Sequence, residues 1–415
     1  MPTSAPISLT PRLGRGLPVI AAADARPGLS GLAPGALETW LGEHGGEAYR
    51  ARQVADLLWR GHVGDVAAMH VLPVVLRARL SDAFRADTLA DTELRPADAG
   101  LTEKALHRLS DGRLIESVLM RYPARGGRRE RATVCISSQA GCAVGCPFCA
   151  TGELGFERDL SVAEIVDQVR MWARRLHADG QRVTNVVFMG MGEPLLNADA
   201  VLGAAAALSD GDRFGLAARH ITISTSGVVP GIERLTALRP QYTLAISLHA
   251  ARPQLRDVLV PLNRRYALGA VIEAASAYAR ATGRRVSYEY VMIEGINDTP
   301  ADARQTAELL GGRLAHVNLI PMNPVAHTPW QPSGHARIGA FADVLRRSRI
   351  STTVRRNRGV EIGAACGQLA AEQSSEPPPA AVARRRLLLE RQSAGALAME
   401  ATAGDATVSQ VSRSR

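Results

Sequence analysis

Three of the five cysteines in this 415-residue chain fall within Cys142-Ala143-Val144-Gly145-Cys146-Pro147-Phe148-Cys149. This C-x3-C-x2-C spacing offers three closely placed thiolates, enough for three irons of a [4Fe-4S] cluster, and it leaves one iron open to a ligand. A structural zinc site is the competing reading. Such sites close with four ligands, and neither a fourth cysteine nor a histidine stands at ribbon or knuckle spacing here. Cys135 and Cys366 lie outside the run, and an isolated cysteine is most often a small buried hydrophobe.

Further polar residues stand at the ends of candidate strands. Val187 to Leu195 runs an apolar strand into Gly190-Met191-Gly192-Glu193-Pro194, where bare backbone at Gly192 can approach a ligand and Glu193 can meet a cationic amine. Ser224-Thr225-Ser226-Gly227 and Ser247-Leu248-His249-Ala250 add hydroxyls and an imidazole suited to ribose and carboxylate groups. Taken singly, each is ordinary turn or helix-cap chemistry.

The cysteine spacing, with Phe148 just before the last cysteine, resembles that of the radical S-adenosylmethionine (SAM) enzymes. The resemblance implies that Cys142, Cys146 and Cys149 hold one [4Fe-4S] cluster whose open iron chelates SAM. It assigns SAM contacts to Gly192 and Glu193, to Ser224, to Ser247, Leu248 and His249, and to Asn323 in Asn318-Leu319-Ile320-Pro321-Met322-Asn323-Pro324.

Around the two remaining cysteines, Thr133-Val134-Cys135-Ile136-Ser137-Ser138-Gln139 and Arg358-Gly359-Val360-Glu361-Ile362-Gly363-Ala364-Ala365-Cys366-Gly367-Gln368-Leu369 closely resemble the RlmN/Cfr family of radical SAM RNA adenine methyltransferases. The similarity runs from about Leu37 through Leu369. It implies two SAM molecules per turnover: one methylates Cys366, and the second supplies a radical that turns the S-methyl group into a methylene radical. That radical adds to an adenine carbon, Cys135 resolves the enzyme–RNA adduct by forming a disulfide with Cys366, and Glu116 serves as general base for the ring proton. The implied substrate is C2 of adenosine 2503 in 23S rRNA, with C2 of adenosine 37 in tRNA as a second target. Methylation at C8 of the same rRNA adenosine would use every residue named, so the motifs leave it open. A reading of another class is a non-catalytic iron-sulfur protein that binds RNA. The resemblance also implies an electron donor such as flavodoxin or ferredoxin and a monomeric enzyme. Two departures stand out: Asp159 replaces the family's usual Asn, and the Gly126-Gly127-Arg128-Arg129-Glu130-Arg131 turn is longer and more basic than typical, which widens the spacing from Glu116 to Cys135.

The elements that must position these residues follow from periodicity. Hydrophobic residues make up 46% of the chain, suited to a packed core, and the net charge of +9 favours a polyanionic partner such as RNA. Few, clustered cysteines argue for a reducing compartment, no window reaches a membrane span, and Leu17 to Ala23 is a minimal imitation of a signal peptide, so the reading is cytoplasmic. Residues 1–33 read as a flexible arm and 34–90 as a small helical accessory domain that binds RNA. An antiparallel β extension follows over 91–134. Residues 135–371 alternate strand and helix signals, with strands at 183–189, 221–225, 244–248, 286–292, 316–320 and 352–354. That rhythm predicts a parallel sheet, and the resemblance makes it a partial (βα) radical SAM barrel. Ser161-Val162-Ala163-Glu164 heads one helix with a capping box. Residues 372–415 read as a largely disordered tail, with an amphipathic helix over 383–400.

Overall fold

A computed structural model describes residues 24–369 apart from Arg128, Ala326 and His327. The expected tail over 372–415, its helix and most of the expected arm lie outside the described residues. Residues 24–33, read from sequence as part of that arm, are instead docked. Leu29 is buried and its amide donates to the Arg85 carbonyl at 2.9 Å, and the backbone of Gly31 runs so close to Ala163 that a Cβ there would sit 2.8 Å from the Ala163 nitrogen.

Three short helices, α1 (Ala36–Glu43), α2 (Tyr49–Trp59) and α3 (Val74–Ala83), form the accessory region around Leu41, Val54, Leu58 and Leu80. Strands β1 (Leu89–Ala97), β2 (Thr102–Leu109), β3 (Leu114–Tyr122) and β4 (Arg131–Cys135) then make an antiparallel meander. The small strands β5 (Gln139–Gly141) and β6 (Phe156–Asp159) pair with each other and bracket the cysteine loop and the short helix α4 (Ala150–Leu154).

Helix α5 (Val162–Ala178) begins on the expected capping box: the Glu164 amide donates to Ser161 Oγ at 3.2 Å and the Ser161 amide to Glu164 Oε2 at 2.9 Å. Its apolar stripe of Ile165, Val169 and Trp172 is fully buried. Arg170, buried on the same helix, donates to the carbonyls of Val63 and Ala86 at 2.8 and 2.7 Å, which joins the accessory region to the barrel.

The remainder is repeated strand and helix: β7 (Asn185–Phe188), α6 (Ala198–Ser209), β8 (Ile221–Thr225), α7 (Val229–Leu238), β9 (Thr243–Ser247), α8 (Pro253–Leu259), α9 (Leu268–Thr282), β10 (Val286–Met292), α10 (Pro300–Leu310), β11 (Ala315–Pro321), α11 (His335–Arg347) and β12 (Ser351–Val354). Strands β4 and β7 to β12 are mutually parallel, so the expected β extension and the barrel share one ten-stranded sheet, with β4 belonging to both.

The sheet does not close by strand pairing; β1 and β12 are its edges. The segment after β12 reaches back to the antiparallel strands instead: the Gly359 amide donates to Asp98 Oδ2 at 3.0 Å and Arg358 to the Arg121 carbonyl at 2.9 Å. No helix of the described residues is long and apolar enough to cross a membrane.

Candidate active site

The carboxyl ends of the parallel strands open into one cavity lined by Cys142, Cys146 and Cys149 together with Gly192, Glu193, Ser224, Ser247, His249, Asn323 and Cys366. The cysteine loop leaves β5 through Gly141, whose φ of +73° and close approach to Gly155 exclude a side chain; a Cβ there would lie 1.9 Å from the Gly155 oxygen. The Cys142 amide closes the loop by donating to that same oxygen at 2.7 Å. Burial pushes the Cys142 thiol up to about 12, and it raises Cys146 and Cys149 as well. Proximity adds to the effect: Cys149 raises Cys142, and Cys149 and Cys142 both raise Cys146. Crowded, desolvated thiols of this kind call for a cation, and a cluster would supply it. Among the described residues no three His, Cys, Asp or Glu side chains converge on a point that would hold a single metal ion.

On the adjoining wall, Gly192 adopts φ +99°, and a Cβ there would sit 2.6 Å from Gln139 Cβ, so only glycine lets the turn lie against β5. Glu193 is buried, which raises its pKa, and its carboxylate is held by the Ser226 amide at 2.6 Å, Ser226 Oγ at 2.7 Å and the Leu195 amide at 3.0 Å. Gln139 ties this wall to β6: its Oε1 accepts from the Glu193 amide at 2.8 Å and its Nε2 donates to Asp159 Oδ1 at 2.7 Å. Asp159 therefore supplies the acceptor oxygen that Asn would supply.

His249 takes φ +56°, and its Nδ1 accepts from the Val291 amide at 3.1 Å, which leaves the neutral ring's proton on Nε2. Burial lowers its pKa to about 3, and its ring meets Phe148 edge to face at 4.8 Å. Asn323 donates through Nδ2 to the Cys366 carbonyl at 2.8 Å, while its buried Oδ1 has no hydrogen-bond partner and lines the cavity. An orphaned acceptor beside an apolar and hydroxyl-rich rim fits a ligand that carries amine or amide donors, as SAM does. Leu248, expected among the SAM contacts, follows the end of β9; its side chain is fully buried in the core and does not line the cavity.

Cys135 ends β4 inside the wall, and Cys366 arrives on the segment that follows β12. That segment is tied to the cysteine loop, since the Ala150 amide donates to the Gly367 carbonyl at 2.7 Å and Thr151 Oγ1 to the Leu369 carbonyl at 2.6 Å. Burial and then the neighbouring Cys366 push the Cys135 thiol up to about 12; the Cys366 residue is exposed at the cavity, yet desolvation around its sulfur raises that thiol to about 11, with Arg355 pulling it down. Glu116 is fully buried on β3, 3.0 Å from Lys104 Nζ, and is not among the cavity-lining residues. The long turn leaves the ladder intact: Val118 pairs with Cys135, so Glu116, two residues away, shares the face of Cys135 at the same rim.

Sequence reasoning passed over three charged residues at this cavity. Glu289 and Arg355 line it, with Arg355 Nη1 3.7 Å from Glu289 Oε2. Arg256, fully buried, donates to the carbonyls of Ser226, Ser247 and Leu248 at 2.6, 3.0 and 3.1 Å and so fixes two of the strand ends. The available signal was a charge inside an otherwise apolar strand, Tyr288-Glu289-Tyr290, which burial tolerates only with partners.

An open-sided parallel barrel with three thiols at its carboxyl rim and a glycine–glutamate turn beside them is the arrangement of a radical SAM enzyme, and residues 136–310 match the Radical SAM superfamily. A crystal structure of a radical SAM methyltransferase from Sphaerobacter thermophilus superposes with a TM-score of 0.80 at 46% identity, covering 83% of this chain and all of that one. The chain is 49% identical over 339 residues to the dual-specificity RNA methyltransferase RlmN of Parafrankia sp., covering 78% of this chain and 86% of that protein. It is 48% identical over 338 residues to the RlmN of Thermobifida fusca, covering 80% and 91%. The chain belongs to the RlmN family of radical SAM RNA methyltransferases.

Proposed function

We propose that this enzyme methylates adenine at C2 in 23S rRNA and in tRNA through a methylated Cys366. The observation that carries the reading is that Cys366, far away in sequence, lines the same cavity as Cys142, Cys146 and Cys149 and lies close enough to Cys135, at the end of β4, to raise that thiol's pKa. Cys142, Cys146 and Cys149 would hold the cluster, and Glu193, Ser224, Ser247, His249 and Asn323 would hold SAM. When bound, these groups supply the methyl group and the radical that activates it. Cys366 carries the carbon to the base, and Glu116 accepts the proton of the ring carbon. Cys135, as thiolate, then attacks the Cys366 sulfur; the S–S bond forms as the S–C bond to the RNA breaks, and a two-electron reduction restores both thiols. Such chemistry calls for a reducing compartment and a protein electron donor, flavodoxin or ferredoxin in kind.

An RNA substrate is supported by a second concavity of about 590 Å3 at the amino ends of β4, β7 and β8, where Arg129, Arg131, Arg182 and Arg219 gather and Glu130 is the only carboxylate among the described lining residues. Clustered, exposed arginines suit phosphodiester groups. Arg128 of the same basic turn lies outside the described residues.

Nucleoside mass spectrometry tests the reading. Unmodified rRNA and tRNA, treated anaerobically with reconstituted enzyme, SAM and a reductant, should yield 2-methyladenosine. 8-Methyladenosine would move the enzyme to the C8 reaction, and SAM cleavage with no methylated adenosine would overturn the proposal.

A further inference from the structure

Of the 49 basic residues in this chain, Lys104 is the only lysine. It is buried on β2, where it pairs in register with Val118, which pairs in turn with Cys135, so the three side chains share the interior face. Its Nζ lies 3.0 Å from Glu116 Oε1. On its other side is the Cys366 segment: a Cβ built on Gly363, itself at φ +62°, would be 3.6 Å from Nζ.

Elsewhere the chain meets buried carboxylates with arginine, as in Arg170 with Asp167 and Arg158 with Glu164. Arginine is also the better partner for a carboxylate where a planar fork fits. One lysine kept among so many arginines therefore marks a place where a guanidinium does not serve. The geometry supplies the reason. The ammonium is a compact point charge that fits between the Glu116 carboxylate and Gly363, and a planar fork in the same gap would push the carboxylate off its place.

We propose that Lys104 is the positioning residue for proton removal: it holds the Glu116 carboxylate ionised and fixed on the interior face while leaving room for the Cys366 segment to close over it. The proposal rests on the assignment of Glu116 as the base that takes the ring proton. Glu116 then acts from a defined place, and the step that depends on it lies after carbon–carbon bond formation and before resolution by Cys135.

The test compares Lys104→Met, Lys104→Arg and Glu116→Gln in the full-length reconstituted enzyme acting on an unmodified tRNA transcript. Both lysine variants should keep the cluster, SAM cleavage and S-methylation of Cys366. Formation of methylated RNA should fall about a hundredfold, the usual worth of a general base, while covalent protein–RNA adduct accumulates on denaturing gels as it does in Glu116→Gln. Methylated RNA at the wild-type rate from Lys104→Arg would overturn the proposal. Equal loss of cluster, cleavage and adduct in both lysine variants would overturn it too, by assigning Lys104 to folding alone. A fully active Glu116→Gln enzyme would instead remove the base assignment on which the proposal stands.

Discussion

The cluster loop and the Cys135–Cys366 pair place the same side chain by opposite means. Cys142, Cys146 and Cys149 are spaced by a few residues and held by local turns, closed by the Cys142 amide on Gly155 and the Cys149 amide on Cys146 at 2.7 and 3.1 Å. Cys135 and Cys366 meet only after seven parallel strands have formed and the segment beyond β12 has folded back onto the cysteine loop. A local motif can assemble its ligands early and cheaply in entropy, whereas a pair separated by most of the domain depends on the whole fold. The first group therefore reports on cofactor loading and the second on the completed tertiary structure.

Removing each kind of cysteine separates the two roles most sharply. Serine at Cys142, Cys146 or Cys149 should abolish iron content and all release of 5′-deoxyadenosine, measured by metal analysis and chromatography. Alanine at Cys135 should leave both intact and trap a covalent RNA adduct, whereas alanine at Cys366 should keep the iron, lose the 5′-deoxyadenosine coupled to RNA and trap none. Equal loss of iron in all five variants would dissolve the distinction.

A smaller effect is expected in the pH dependence of the pair. The Cys366 residue is exposed at the cavity, but desolvation around its sulfur raises the thiol to about 11, so its thiolate, the nucleophile, is a minor species at neutral pH and grows as pH rises toward that value. Single-turnover methylation of Cys366, followed by mass spectrometry of the peptide, should accelerate about tenfold per pH unit between pH 7 and 9. A plateau below pH 9 would place the thiol far lower and weaken the case that burial governs it.

The smallest effect belongs to the bracket around the cluster loop. Asp159→Asn keeps an acceptor oxygen for Gln139 Nε2, so the change in stability should stay within about 0.5 kcal/mol, seen as a nearly unchanged Tm. A large loss would mean that the negative charge itself, and not the acceptor, supports the loop.

Much of this was legible in the sequence where the cause is local. The strands at 221–225 and 286–292 were readable to the residue because β-branched and aromatic runs end in clear turns, and the capping box at Ser161 announced α5. The strand expected over 183–189 is shorter, Asn185–Phe188. What the sequence concealed depends on long-range pairing. Residues 24–33 lack periodicity yet dock on α5 through backbone contacts, and Arg256 and Arg355 gain their roles from partners in distant segments. Leu248 lies just past β9, and whether its side chain enters the core or the cavity depends on the packing around that strand end, which a short motif does not specify.

The open edge of the sheet has one more consequence. Since the wall between β12 and the antiparallel strands is a folded-back segment and not a hydrogen-bonded strand, the barrel has a seam along its side. Strand pairing would fix the width of that wall through a ladder of backbone hydrogen bonds. Here isolated bonds from Gly359 to Asp98 and from Arg358 to Arg121 set it, so this side of the cavity can widen without breaking a ladder.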